Sequence, residues 1–382
     1  MTSTRAAERP LENIANRVAP AGQRHDHRAD RWEARGVLWQ ESSLKRVRSC
    51  GRVTVTADGS VQVRANGVAV GYAGLASCGS VWSCPVCNAR IQAVRRLEVG
   101  TALAWAMTDG GAAFGAYTLR HHAGTPLDGL WRSLSKCWQA VARDKSVRTE
   151  RAALGHVGLI RAAEVTHGSN GWHPHLHPLH LFSRPVTASD VQRLHVVQFR
   201  AWSAAADRLG LSAPVLAAQD LHVVSGARAH QELGDYFTKA SYAPAPESVG
   251  WEMTSTQTKS RTRDQDSRTP WDLLTGVHRH GDADALDLWH LWERDSRGKR
   301  ALTWSRGLRQ AVGLDREASD EEIAETEVGT RADAGFVIED WSPIRAAPRL
   351  GAELLAVVGP AGHWEEGRRF CRRHGIETRE AS

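Results

Sequence analysis

The chain reads as an α+β protein: a central antiparallel sheet flanked by helices and preceded by a small Cys-rich module. Three observations predict this. Alternating and 3.6-period segments succeed one another between residues 112 and 243 in the order β-α-β-β-α-β-α. The turn sequence Gly168-Ser169-Asn170-Gly171 joins two of the alternating segments as a hairpin, so those strands run antiparallel and the helices pack on the sheet. Four of the six cysteines fall between residues 45 and 90, among short segments of β character.

A chain of 382 residues is long enough for more than one domain. Residues 1–40 read as a flexible basic leader, 41–95 as the Cys-rich module, 96–245 as the mixed α/β domain and 246–382 as a helical C-terminal region. Within the module, Arg52-Val53-Thr54-Val55 and Val61-Gln62-Val63-Arg64 alternate as strands do. A helix follows over Ala89–Met107, with apolar Ile91, Val94, Leu97, Leu103 and Trp105. Ala113–Leu119 is a strand. Leu127–Ala142 is a helix carrying Leu130, Trp131, Leu134 and Trp138 along one stripe. Val157–Val165 and Trp172–Phe182 form the hairpin. Ala188–Arg208 is a helix capped by Thr187 or Ser189. After a strand at Leu221–Val224, Ser225 is placed to cap a helix bearing Tyr236. Beyond Ala243-Pro244-Ala245-Pro246 the chain is polar through Arg268, then helical near 282–294, 301–314 and 364–374, with an acidic stretch at Asp320-Glu321-Glu322.

The formal net charge of +6 and a pI near 9.2 favour an anionic partner. Only six of the 49 basic residues are lysines, and guanidinium groups bind phosphate bidentately. No apolar run has the length of a membrane span, and the first thirty-five residues lack a signal-peptide core, so a soluble, cytoplasmic protein is expected.

The candidate chemistry lies in two clusters. In Gly171-Trp172-His173-Pro174-His175-Leu176-His177 the strand period of two puts His173, His175 and His177 on one face and turns Leu176 to the core. His175 and His177 can hold one metal ion, with Glu164 on the partner strand as third ligand. Two imidazoles and a carboxylate suit Mn²⁺ or Mg²⁺ on phosphate oxygens. A binuclear zinc hydrolase pattern, H-x-H-x-D-H, fails because Leu179 stands where its aspartate is required, and His180 reads as structural. The second cluster is Glu232-Leu233-Gly234-Asp235-Tyr236-Phe237-Thr238-Lys239. On a helix Glu232, Tyr236 and Lys239 share one side, offering a base, a nucleophile and a charge stabiliser. Of four tyrosines, Tyr117 lies in an apolar strand and Tyr242 falls off the face of Tyr236. Cys50, Cys78, Cys84 and Cys87, spaced C-x27-C-x5-C-x2-C, suit a structural zinc, with Cys50 the least secure ligand; Cys137 and Cys371 stand apart.

His173-Pro174-His175-Leu176-His177 followed by Glu232-x3-Tyr236-x2-Lys239 resembles the HUH endonuclease superfamily, and within it the single-tyrosine branch of rolling-circle plasmid replication initiators. Ala116-Tyr117-Thr118-Leu119-Arg120-His121 is similar to that family's first motif. The Cys-rich module, Ser267-Arg268-Thr269-Pro270-Trp271 and Leu302-Thr303-Trp304-Ser305 extend the likeness over most of residues 45–315. The resemblance implies an HUH nicking-joining core over 96–245. It implies site- and strand-specific cleavage of origin DNA by Tyr236, a 5′-phosphotyrosyl intermediate, and water activation by Glu232 to end the round. It also implies Mn²⁺ or Mg²⁺ on His175, His177 and Glu164, DNA contacts from Arg120, His121 and His173, a single-stranded or cruciform origin as partner, and recruitment of a host helicase and polymerase. Pro178 departs from a regular strand, because it cannot donate to a ladder, and suggests a bulge past His177. Two other classes carry the same residues: an HUH transposase or relaxase, and a non-catalytic zinc protein that binds nucleic acid.

Overall fold

A computed structural model describes residues 21–67, 69–224, 267–325 and 333–381. The central feature is a five-stranded, fully antiparallel sheet of order β6-β3-β5-β4-β7, built from β3 (Gly111–Thr118), β4 (His156–Gly168), β5 (Gly171–Phe182), β6 (Asp220–Val223) and β7 (Leu302–Trp304). A second antiparallel sheet, of order β2-β1-β8-β9, joins β1 (Val61–Ala65) and β2 (Val70–Ala73) to β8 (Asp333–Ile338) and β9 (Thr378–Glu380).

β4 and β5 form the long hairpin that the turn sequence predicts. Gly168 pairs with Gly171 across Ser169-Asn170, and Gly171 has a φ of 82°. That backbone suits glycine, and a Cβ there would also press on the carbonyl oxygen of Ala123. β5 is the middle strand, so its two faces are both structural. Leu176 and Trp172 join the large apolar cluster with Leu130, Trp131, Leu134 and Trp138 of α3 (Leu127–Arg143) and Trp202 of α5 (Ala188–Arg208). Phe182 packs with Leu154, Val191 and Leu194 on the same side. Leu179 and Leu181 point the other way and meet Val99, Leu103 and Ala106 of α2 (Pro85–Asp109).

Caps explain the helix boundaries. Thr187 begins α5 with a capping box: its hydroxyl accepts from the Asp190 amide, and Asp190 accepts from the Thr187 amide. Thr269 and Asp272 repeat the device at α6 (Pro270–His280), whose first residue is a proline with no amide to leave unpaired. Asp282 caps α7 (Ala283–Ser296), and the buried Trp289 and Trp292 fix that helix in the core.

Several expectations are corrected. The leader does not run to residue 40, because α1 (Ala21–Glu41) is a helix with Ala29, Trp32, Ala34, Leu38 and Trp39 buried. Trp32 packs edge-on to Tyr72 and carries the Arg35 guanidinium 3.9 Å above its ring. The Cys-rich module and the C-terminal region are not separate layers, since β8 inserts between β1 and β9. Residues 52–55 contribute one isolated bridge, Thr54 to Leu75, instead of a strand. Within 301–314, Leu302–Trp304 is the fifth strand of the central sheet and only Leu308–Ala311 is helical, because β4 offers an open edge for pairing. Pro178 causes no bulge. β4 pairs with β5 in one register from Gly168↔Gly171 to Gly158↔Leu181, and the irregularity lies at His156/Gly158. On the β3 side the pairing skips from Tyr117↔Leu176 to Phe114↔Leu179, so the interruption that proline imposes is confined to one neighbour.

Gly115 occupies that interrupted stretch of β3, and a Cβ there would strike the carbonyl oxygen of Asp220 in β6. Backbone cannot swing aside as a side chain can, so Gly115→Ala should destabilise the fold by about 1–3 kcal/mol. Urea unfolding followed by tryptophan fluorescence measures this; an unchanged midpoint would contradict the close packing of β3 on β6.

Candidate functional site

The pleat of β5 places His173, His175 and His177 on the face shared with Leu179 and Leu181. α2 covers the leucine end of that face and leaves the histidine end to polar neighbours. Glu164 lies directly across from His175 on β4, and Thr118 lies across from it on β3. The rings form a stack: His173 and His175 have centroids 4.2 Å apart, and His175 and His177 5.9 Å apart. Phe114 stacks on the far side of His177 at 5.9 Å, and His121 meets His173 edge-on at 4.6 Å.

Hydrogen bonds fix the outer members. His173 Nε2 lies 2.7 Å from Thr118 Oγ1, and His121 Nδ1 donates to the carbonyl of Asn170 in the hairpin turn at 3.0 Å. His177 Nδ1 lies 3.3 Å from the carbonyl oxygen of Gly115, which can only accept. His177 Nε2 lies 3.1 Å from Glu164 Oε2, also an acceptor, so a single imidazole proton satisfies one of the two contacts. With that proton on Nδ1, Nε2 and the carboxylate are left as a pair of donors for a cation. His177 is 3% exposed, and the Nδ1 of His175 is buried with no hydrogen-bond partner. An imidazole that gives one nitrogen to a backbone carbonyl and aims the other at a carboxylate has the arrangement of an oriented metal ligand. The donor set therefore fits a divalent cation in kind. His175 and Glu164 do not yet converge with His177 as tightly as the cysteines described next, whose sulfurs alone among the described residues meet within 4.8 Å as a group of three or more such ligands.

Burial depresses the imidazoles. His175 is pushed down to about 3 by desolvation, with His173 beside it adding to the effect, and His173 to about 4 by desolvation and then by His121. On the opposite face His180 is fully buried, bonded to His156 Nε2 at 3.0 Å and to the Gln198 amide at 3.2 Å, in keeping with a structural role. Burial also pushes His156 down to about 3, with Arg151 adding to it. Tyr117 donates to Gln198, and burial raises its phenol, which makes it a core residue.

Cys50, Cys78, Cys84 and Cys87 form the second cluster. All four are buried and unpaired as disulfides, with Sγ separations of 3.8 Å for Cys50–Cys84 and 3.6 Å for both Cys50–Cys87 and Cys78–Cys87. Zinc–thiolate bonds of about 2.3 Å in a tetrahedron put sulfurs roughly 3.8 Å apart, so the four cysteines fit a metal such as zinc. Cys84 is the N-cap of α2 and Cys87 lies in its first turn, where the helix dipole favours thiolates. Cys50 belongs to the cluster on the same terms as the others. Cys137 and Cys371 lie elsewhere in the core.

Of the expected site residues, the structure brings together His173, His175, His177, Glu164 and His121, while Arg120 is exposed at the end of β3. Glu232, Tyr236 and Lys239 lie outside the described residues. Thr118 and Phe114 were missed in the sequence. Both are placed by the register of β3 on β5, which no local pattern encodes.

No family model matches the chain, and no solved structure matches it. The chain is 30% identical over 319 residues to Protein rep of Streptomyces lividans, an alignment covering 68% of each protein. It belongs to the Rep protein family. A shorter likeness, 33% over 132 residues, covers 28% of this chain and 30% of the Neomycin resistance protein of Streptomyces cyanogenus. No helix among the described residues of this Rep protein is long and apolar enough to cross a membrane.

Two outcomes follow. Cys87→Ser should lower the zinc content of the purified protein from about one equivalent to near zero, read by atomic emission; a full equivalent retained would remove the cluster as the binding site. His156, His173 and His175 stay neutral in the fold, whereas the unfolded chain protonates them near pH ~6.5. Protons therefore favour the unfolded state below that pH, and stability should fall as pH drops from about 6.5 toward 4. Urea midpoints at pH 7, 6 and 5 should decrease in that order, and a flat series would contradict it.

Proposed function

We propose that this protein initiates plasmid rolling-circle replication by nicking and rejoining one strand of its origin through a tyrosine nucleophile. Membership of the Rep family supports the biological role. The observation that carries the chemistry is the His177–Glu164 contact at 3.1 Å beside the unpartnered Nδ1 of His175. His175, His177 and Glu164 would hold Mn²⁺ or Mg²⁺, which supplies polarisation of the scissile phosphate and stabilises the leaving 3′ oxygen.

The remaining steps belong to the chain's own residues. The Tyr236 phenolate attacks phosphorus in line; a bond forms to the tyrosine oxygen, and the bond to the 3′ oxygen breaks, freeing a 3′-OH for polymerase. Lys239 favours the phenolate by its charge, since a free phenol with a pKa near ~10 is largely protonated at neutral pH. Glu232, four residues before Tyr236, takes a proton from water for the closing cleavage. Arg120, His121 and His173 line the approach of the strand to the site. Thr118 and the Gly115 carbonyl hold His173 and His177 in place. A host helicase would open the duplex ahead of the polymerase.

Incubation with Mn²⁺ and a single-stranded oligonucleotide from the protein's own origin should give a covalent protein–DNA adduct on a denaturing gel. Tyr236→Phe should abolish it, and Glu164→Gln should lower its rate by at least ~10²-fold. Adduct formation undiminished by Tyr236→Phe would remove that residue as nucleophile. Tight binding without adduct under any divalent metal would favour the non-catalytic zinc protein instead.

A further inference from the structure

A cleft of about 360 Å³ opens between the Cys-rich module, the β4/β7 edge of the central sheet and the segment 316–321. Its lining carries six cations, Arg46, Arg95, Arg297, Lys299, Arg300 and Arg316, against Glu317, Asp320 and Glu321. The carboxylates are committed. Glu321 pairs with Arg46 at 3.1 Å, while Asp320 and Glu317 pair with the buried Arg95 at 3.0 and 3.7 Å. Arg316 pairs with Glu322 at 2.8 Å. Arg297, Lys299 and Arg300 have no ion pair among the described residues, and both arginines are exposed. Three surplus cations thus stand within four residues of one loop.

The position of that loop gives the surplus a direction. β7 pairs with β4 as Ile160↔Trp304, Arg161↔Thr303 and Ala162↔Leu302, and the Ala163 amide donates to the Ala301 carbonyl. Arg300 directly precedes Ala301 and Glu164 directly follows Ala163, so the loop enters β7 at the Glu164 end of the β4 edge. The Trp82 indole donates to the Lys299 carbonyl at 2.8 Å and anchors the loop to the Cys-rich module. The cation row therefore runs toward the end of β4 that carries Glu164.

We propose that Arg297, Lys299 and Arg300 form a phosphate-tracking groove that leads a single DNA strand to the His175–Glu164 face. A cleft of this volume has the scale of a small-ligand pocket and cannot admit a duplex. Consecutive phosphates supply the anions that the loop lacks. The inference rests on the nicking reading for its destination, but the binding surface can be tested apart from it.

The test uses full-length protein carrying Tyr236→Phe, so that binding is read without covalent capture. Fluorescence anisotropy with a labelled 20-nucleotide single strand, titrated over a salt series, compares two triple variants. One is Arg297→Ala/Lys299→Ala/Arg300→Ala. The other is Arg143→Ala/Lys145→Ala/Arg148→Ala, three exposed cations of α3 and α4 (Lys145–Ala153) that do not line the cleft. The groove variant should bind on the order of tenfold more weakly at low salt, with a salt slope shallower by about 2, as expected for three lost phosphate contacts on single-stranded DNA. The control should stay near the parent. Equal loss in both variants, loss in neither, or tighter binding of the parent to duplex than to single strand overturns the groove. Adduct formation by the otherwise wild-type protein is scored separately, so a failure of the nicking reading leaves a distinct signature: no adduct, with the groove effect intact.

Discussion

The pairing of β5 on both sides governs the rest of the molecule. Held between β3 and β4, the strand cannot slip by one residue without exchanging its faces, because side chains alternate strictly along it. The core supplies the energy that prevents such a slip. Trp172, Leu176 and Phe182 are buried against helices on one side, and Leu179 and Leu181 against α2 on the other. A one-residue shift would turn His175 and His177 toward the tryptophans and Leu176 away from them. The histidine geometry is thus a by-product of hydrophobic register, enforced by side chains that take no part in the chemistry.

Pro178 shows how closely backbone and site are tied. A proline in a middle strand loses one ladder donor, and here the break falls toward β3 while the β4 pairing continues unbroken. Near that break the His177 ring lies between the Gly115 carbonyl, 3.3 Å from Nδ1, and Glu164, 3.1 Å from Nε2. Gly115 itself is required small by the approach of Asp220. The four-cysteine cluster acts at a distance, fixing the start of α2, whose far end covers the apolar half of the same sheet face.

Much of this was legible locally. The hairpin was readable because Gly168-Ser169-Asn170-Gly171 has turn chemistry between two alternating runs, and α5 because Thr187 or Ser189 offered a cap before it; the structure chose Thr187, boxed with Asp190. The cysteine cluster was readable from its spacing. α1 was misread as a leader because its charged residues mask the buried positions Trp32, Leu38 and Trp39, which have partners only in distant parts of the chain. Leu302–Trp304 was misread as helical because three residues carry almost no periodicity, and their conformation is decided by the open edge of β4.

By itself, then, the sequence determined the strands, the hairpin and the two long helices of residues 112–224, the shared face of His173, His175 and His177, and the grouping of Cys78, Cys84 and Cys87, since all three follow from spacing along the chain; the structure added the helix Lys145–Ala153 and settled Cys50. Only the tertiary structure decided which residues meet those side chains: Thr118 and Gly115 from β3 and Phe114 against His177. It also decided that the first and last parts of the chain share one sheet. Those contacts depend on register and on pairing between segments up to hundreds of residues apart, and the free energy that selects them comes from burying whole faces at once, not from any local pattern.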